Sequence, residues 1–187
     1  MRVGSQLTFC SPDKILHRTA VEQDENNIIT GFFSLDNEPS EPENTLFFDG
    51  IVSSGLVSLK QTIPEEIYPT IFNEYQYLDF SENITLFNIR LNGKPLILDF
   101  GTNLPDKFNS LLPDFYRLLS GLSIFDIIAA CTYNPSVISG YSAGLTEGFQ
   151  TGLILWENID LVHKKLTDTT KIREMSRFTQ AGKTKLY

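Results

Sequence analysis

Residues 49–62 read DGIVSSGLVSLKQT. An apolar β-rich entry meets a small-residue turn at Ser53, Ser54 and Gly55. A second apolar piece, Leu56 to Leu59, follows and reads as strand-like, and the run ends on Lys60, Gln61 and Thr62. What this passage joins decides the fold, because it stands between a β-rich first third and a mixed middle.

Upstream, segments 6–9, 15–21, 28–35 and 45–52 are rich in Ile, Leu, Phe, Val and Thr, and turn-forming residues separate them: Ser11-Pro12-Asp13, the polar run 22–27, and the loop 36–44 with two prolines. The clearest hairpin is AVEQDENNIITGFF, where Asn26-Asn27 suits the left-handed backbone of a tight turn. Downstream, 64–77 reads as a helix with Pro64 in its first turn and Glu65 and Glu66 at the positive end of the dipole. Segment 84–91 alternates like a strand, Asn92-Gly93 signals a hairpin, and 95–100 returns as a strand. Helices are expected over 111–119 and over 124–139, the latter capped by Ser123 and carrying Phe125, Ile128, Ala129 and Thr132 at helical spacing. A strand at 152–156, a second β-like segment and a basic, solvated tail complete the chain.

Composition sets the outer limits. The 187 residues are 41% hydrophobic, enough to bury a core as one domain or one domain with an appendage. A net charge of -8 argues against nucleic acid, whose binders need clustered Lys and Arg to release counterions from phosphates. The opening MRVGSQLTFC lacks the apolar segment of a signal sequence, and no stretch approaches the roughly 20 apolar residues of a membrane span. A cytoplasmic protein with no membrane partner is the expectation. Cys10 and Cys131 are too few and too far apart for a disulfide framework or a zinc knuckle, and are expected as buried, reduced thiols.

Two separated stretches carry more. FFDGIVSSGLVSLKQT resembles the passage by which metal-dependent amidohydrolases leave their N-terminal β-domain for the first barrel strand: Ser54, Gly55, Leu56, Val57, Ser58 and Leu59 keep the frame, while Lys60 and Thr62 stand where that family places His-x-His. LSIFDIIAACTYNPSVISGYSAGLTEGFQTGLILWENIDL resembles the last barrel helix and the return to the β-domain, through Thr132, Asn134, Pro135, Gly140, Gly144, Gly148, Gly152 and Leu153 to Leu155. The wording of the tail is similar to the deaminase branch. A third, shorter likeness is Leu96 to Phe100 followed by Gly101-Thr102-Asn103, where the family ends its final strand on Gly-Thr-Asp; an amide there is no general base and lacks a carboxylate's charge as a ligand.

The resemblance implies an α+β fold: a composite β-sandwich from strands of both ends, 1–60 plus 141–187, with 62–140 a short mixed insert in place of a TIM barrel. A barrel takes about 250 residues, and only about 75 separate Lys60 from Pro135. The family's chemistry uses divalent ions to acidify a bound water, held by at least three protein ligands. This chain has two histidines, His17 in the early hairpin region and His163 in the C-terminal β segment, neither at a ligand position. No catalytic residue, metal or cofactor is therefore expected.

The function expected is that of a non-catalytic binding or assembly partner, paired with a second copy or with a full-length amidohydrolase. Tyr68, Phe72, Tyr75 and Tyr77 are the candidate contact surface, since aromatics are enriched at interfaces, although the same residues also suit a core. Two alternatives stay open: a hydrolase of C–N bonds with residual activity, drawing on acids such as Asp79, Glu82, Asp99 and Asp106, and a small-molecule module using a vacated pocket near Lys60, Thr62 and Asn103, with Lys60 facing an anionic ligand.

Overall fold

The computed structural model describes residues 1–36, 45–80, 92–101 and 104–175. In chain order it comprises β1 (Arg2–Ser11), β2 (Lys14–Gln23), β3 (Ile29–Ser34), β4 (Thr45–Ser54), α1 (Tyr68–Glu74), β5 (Gln76–Asp79), β6 (Leu96–Asp99), α2 (Leu104–Leu119), α3 (Ile124–Cys131), α4 (Tyr133–Ile138), β7 (Leu153–Glu157) and β8 (Lys171–Met175). The class is α+β, with strands in two sheets and no closed barrel among the described residues.

Strands of both chain ends join in one six-stranded mixed sheet, ordered β3-β2-β1-β4-β7-β8. β1 pairs antiparallel with β2 and parallel with β4, and β4 meets the C-terminal β7 antiparallel through Gly50↔Glu157 to Ser54↔Leu153. The runs 51–52 and 153–156 are apolar without alternation because both faces of the sheet are covered. Ile51, Ile154 and Trp156 enter one cluster with α2, α3 and the small sheet, whereas Val52, Leu153 and Leu155 enter another with Val3, Val21 and Ile29. Trp156 is fully buried, donates its indole N–H to Ser53 Oγ at 2.9 Å, and meets Phe108 edge-on at 5.3 Å. The outer rim of β8 is met by α2: the Asn109 carboxamide donates to the Ile172 carbonyl and accepts its N–H, both at 2.8 Å.

Turn chemistry behaves as read between β2 and β3, and a glycine holds a second close approach. Asn27 takes φ +59° between β2 and β3, while Asp24 Oδ1 accepts from the N–H groups of Asn26 and Ile28. Gly144 takes φ +77°, and an added Cβ there would collide with the Cys10 carbonyl, which accepts the Leu145 N–H at 3.0 Å. A side chain at 144 would thus push the return loop off β1.

Four local expectations are corrected. Leu56 to Leu59 is no strand: the chain runs irregularly to a 3-10 turn, Leu59–Gln61, because Leu59 buries itself against Ile71 and Ile97. The helix expected over 64–77 is a 3-10 turn, Glu65–Ile67, followed by α1, which stops when Tyr75 turns extended (φ −119°, ψ 153°) so that Tyr77 can lie in β5. α2 begins seven residues earlier than the expected 111, with Pro105 and Asp106 in its first turn, where a missing N–H and a negative charge both suit the helix start. The segment 124–139 is two helices. Ser123 caps the first in a capping box with Asp126, but Pro135 cannot donate to the Cys131 carbonyl, which takes the Val57 N–H at 3.1 Å instead. β6 pairs with β5, in parallel; the strand expected at 84–91 and the tail beyond 175 lie outside the described residues.

Candidate functional site at the ends of the small sheet

β5 and β6 run side by side in the register Gln76↔Leu96, Tyr77↔Ile97, Leu78↔Leu98 and Asp79↔Asp99. Leu78 and Leu98 face the main core; Tyr77 packs with Ile97 on the other side. Side chains two apart share a face, so Tyr77 and Asp79 project with Asp99, their cross-strand neighbour. Buried Leu59 anchors the 3-10 turn against this face, and that brings Lys60 to the strand ends.

Asp99 has no solvent exposure, and its carboxylate is met by three donors: Oδ1 accepts the Gly101 N–H at 2.9 Å, and Oδ2 accepts the Lys60 N–H at 3.1 Å and the Tyr77 hydroxyl at 3.0 Å. The Lys60 ammonium lies 2.6 Å from Asp79 Oδ2. Burial, then the charges of Asp99 and Asp79 and the bond to Asp99, push the Tyr77 hydroxyl well above the ordinary phenol range. It is therefore a neutral donor at every physiological pH. The Thr62 hydroxyl is within reach of the Ser58 and Leu59 carbonyls and lies 2.7 Å from Ser139 Oγ, which ties the turn to the end of α4.

The residues named in the sequence divide accordingly. Lys60 and Thr62 are brought to one locus; Asn103 and Glu82 lie outside the described residues. Of the acids, Asp79 and Asp99 converge, whereas Asp106 lines a separate groove with Glu157, Lys171 and Arg173. His17 sits on β2 and His163 in an exposed turn rather than a β segment, because Asp160 accepts both its backbone N–H (2.9 Å) and its ring (Nδ1, 2.7 Å). Those bonds, the backbone N–H first, hold the Asp160 carboxyl below its usual range. Burial pushes the Cys10 thiol up to about 11 and the Cys131 thiol higher still, leaving both poor nucleophiles.

The donor set does not fit the divalent ion that the sequence resemblance implies. Among the described residues no three His, Cys, Asp or Glu groups cluster, the Asp99 carboxylate is taken by protein donors, and an ammonium already stands on Asp79. The period-two step from Tyr77 to Asp79 was the only sequence signal for this assembly; the bond from Lys60 to Asp99 spans 39 positions.

Tyr68, Phe72 and Tyr77 form a triangle of rings with centroids 5.4 to 5.8 Å apart. Tyr68, Tyr75 and Tyr77 are half-buried, while Phe72 (43%) and Ile67 (46%) are exposed. A cleft of about 550 Å³ opens at the opposite ends of β5 and β6, lined by Gln76, Lys94, Leu96, Phe125, Asp126 and Asn134 among others. Its polar groups already serve the fold: Lys94 binds the Phe72 and Asn73 carbonyls, Asn134 the Leu96 carbonyl, and Asp126 the N-cap of α3. No helix among the described residues is long and apolar enough to cross a membrane.

No family model and no curated protein matches the chain. Among solved structures it is similar to N-acetyl-D-glucosamine-6-phosphate deacetylase from Mycobacterium smegmatis, with 10% identity over 65% of this chain and 30% of that one and a TM-score of 0.24. A likeness of that size carries no argument about fold or activity.

Proposed function

We propose that the protein is a non-catalytic binding or assembly protein of amidohydrolase-like descent. The observation that carries this reading is the Lys60–Asp79 ion pair beside a fully bonded Asp99. Water-activating chemistry needs a cation with an open coordination position, and here a lysine holds the place of the cation with no such position. The tyrosine beside it is a neutral donor, and both thiols are held protonated by burial. The chemistry-bearing side chains at this locus hold one another.

The surface proposed for association is the aromatic face of α1, where Phe72 and Ile67 stand exposed on a bed of half-buried tyrosines. Exposed apolar patches of this kind mark interfaces, and pairing of two copies about a two-fold axis is the simplest way to cover one. A full-length amidohydrolase is the other partner considered. The test combines two measurements on the purified protein. Light scattering is expected to give the mass of a dimer that Phe72→Asp returns to a monomer, and assays of amide and amidine hydrolysis with added zinc or manganese are expected to show no turnover. Metal-dependent turnover would overturn the non-catalytic reading. A monomer that also forms no complex with a coexpressed full-length amidohydrolase would overturn the assembly role.

A further inference from the structure

Asn92 is followed by Gly93, and no other asparagine of the chain precedes a glycine. Both residues are exposed in the turn that leads into β6, with Gly93 at φ +80°. Asn92 Oδ1 accepts the Lys94 N–H at 3.1 Å, and the Asn92 backbone N–H goes to Gln76 Oε1 at 3.0 Å. The bond to Oδ1 draws electron density from the carboxamide carbon and stands where negative charge gathers if that carbon is attacked. The next backbone nitrogen is in a position to attack it. Among the described residues no acceptor takes the Gly93 N–H, and a Cβ added at Gly93 would meet nothing within 4 Å.

Two other asparagines supply the contrast. Asn27 and Asn158 are also exposed and left-handed, at φ +59° and +56°, but each precedes an isoleucine, whose branched Cβ crowds the approach of its own nitrogen. At Asn27 that nitrogen is already committed, since the Ile28 N–H donates to Asp24 Oδ1 at 2.9 Å. At Asn158 the carboxamide is held by the Thr169 carbonyl at 3.1 Å. Of the three, Asn92 alone joins an activated carboxamide to an open, unhindered amide.

We propose that Asn92-Gly93 is a self-modification site, at which the folded chain converts the Asn92 carboxamide to a carboxylate with water as the co-reactant. The Gly93 nitrogen, its proton lost to hydroxide, bonds to Asn92 Cγ; the side-chain nitrogen takes up a proton from water and leaves as ammonia, closing a succinimide ring. Water then opens the ring. Breaking the bond from Cγ to the Gly93 nitrogen gives aspartate, and breaking the bond from the Asn92 backbone carbonyl carbon gives isoaspartate, with the main chain rerouted through the side chain. No oxidant or reductant is needed, and holding both reacting groups in one turn supplies the proximity. The product adds one negative charge to a chain already at -8. That charge arises next to Lys94, whose ammonium clamps the Phe72 and Asn73 carbonyls at the end of α1. The step stands whether or not the protein is catalytic.

The experiment incubates the full chain in mildly alkaline buffer, samples it over days, and maps it by proteolysis and mass spectrometry. The Asn92 peptide is expected to gain the mass of water less that of ammonia, with isoaspartate as well as aspartate in the product. Its rate should climb by up to about tenfold per pH unit, because the attacking amide reacts in its deprotonated form. Peptides that carry Asn27 and Asn158 should change at least about tenfold more slowly, for want of the same alignment. Asn92→Gln, which keeps an amide but demands a larger ring, is expected to yield no acidic species on ion exchange over the same period. An unchanged Asn92 peptide, or equal rates at Asn27 or Asn158, overturns the proposal. So does conversion of Asn92 in urea but not in the folded chain, which would show that the turn protects the amide. An acidic species that persists in Asn92→Gln would place the new charge elsewhere and overturn it too.

Discussion

The six-stranded sheet and the two-stranded one are held together by different physics. In the large sheet, β1, β4 and β7 lie in the middle, and apolar residues leave both faces, so register and burial specify one another: a one-residue slip would move Trp156 and Leu155 to each other's side. In the small sheet the strands are four residues long, too short to be stable by themselves. Their apolar centre docks on α3 while their ends are closed by charge, through a carboxylate, a phenol and an ammonium. The comparison teaches that a segment with little area to bury can be fixed by a few directional bonds, at the risk that losing one leaves buried groups unpaired.

That contrast can be broken from either side. The largest effect is expected from Trp156→Ala, which empties the centre of the main core and removes the donor to the Ser53 hydroxyl, whose own bond to the Ser54 carbonyl stays: a loss of about 3–5 kcal/mol by urea denaturation. Asp99→Ala, which leaves the Lys60 N–H, the Gly101 N–H and the Tyr77 hydroxyl without their acceptor, is expected to lose about 2–4 kcal/mol. Here the location sharpens the comparison: hydrogen exchange should quicken in β5 and β6 while β1, β4 and β7 keep their protection, and uniform loss of protection would show the two sheets to be one cooperative unit. Tyr77→Phe removes one donor and keeps the ring triangle, so about 1–1.5 kcal/mol is expected, again with the change confined to the small sheet.

The smallest effect is a pH dependence to which the large sheet contributes through Cys10, alongside the buried Cys131 of α3. The Cys10 thiol is raised in the folded state from 9.0 to about 11, so above pH 9 the unfolded chain gives up a proton that the folded chain keeps. Stability is then fully present below pH 9 and falls as pH rises toward 11, by about 1 kcal/mol a little under pH 10. Urea midpoints across that range should fall in wild type and fall less in Cys10→Ala.

How far the sequence reveals each region follows from the same difference. Strands of the large sheet declare themselves through long apolar runs and through residues with backbone duties, such as Asn27 and Gly144 at positive φ. Ser123 likewise announces the start of α3, because a capping box is a local arrangement. What was missed depends on distant partners. Leu56 to Leu59 has strand composition, yet Leu59 is drawn into a cluster with Ile71 and Ile97; Tyr77 has helical neighbours, yet its partner Ile97 lies 20 positions on. The locus at Lys60, Asp79 and Asp99 has no periodicity beyond the step from Tyr77 to Asp79, since only the fold brings a turn and two strand ends together. The likeness to a metal-dependent family directed attention to Lys60, but the acid that Lys60 holds was visible only as one of several.

Asn109 has a consequence for how copies of this chain can meet. By giving the Ile172 backbone both a donor and an acceptor, its carboxamide behaves as a one-residue strand laid along the rim of β8. A sheet rim left open is a template on which another chain can crystallise its own backbone, the first step toward stacked, filament-like growth. Here the template is interrupted at its second residue, Ile172, by a side chain that a helix holds in place. Association along that rim would first have to evict Asn109, which channels any encounter between copies toward faces made of side chains, where specificity can be written.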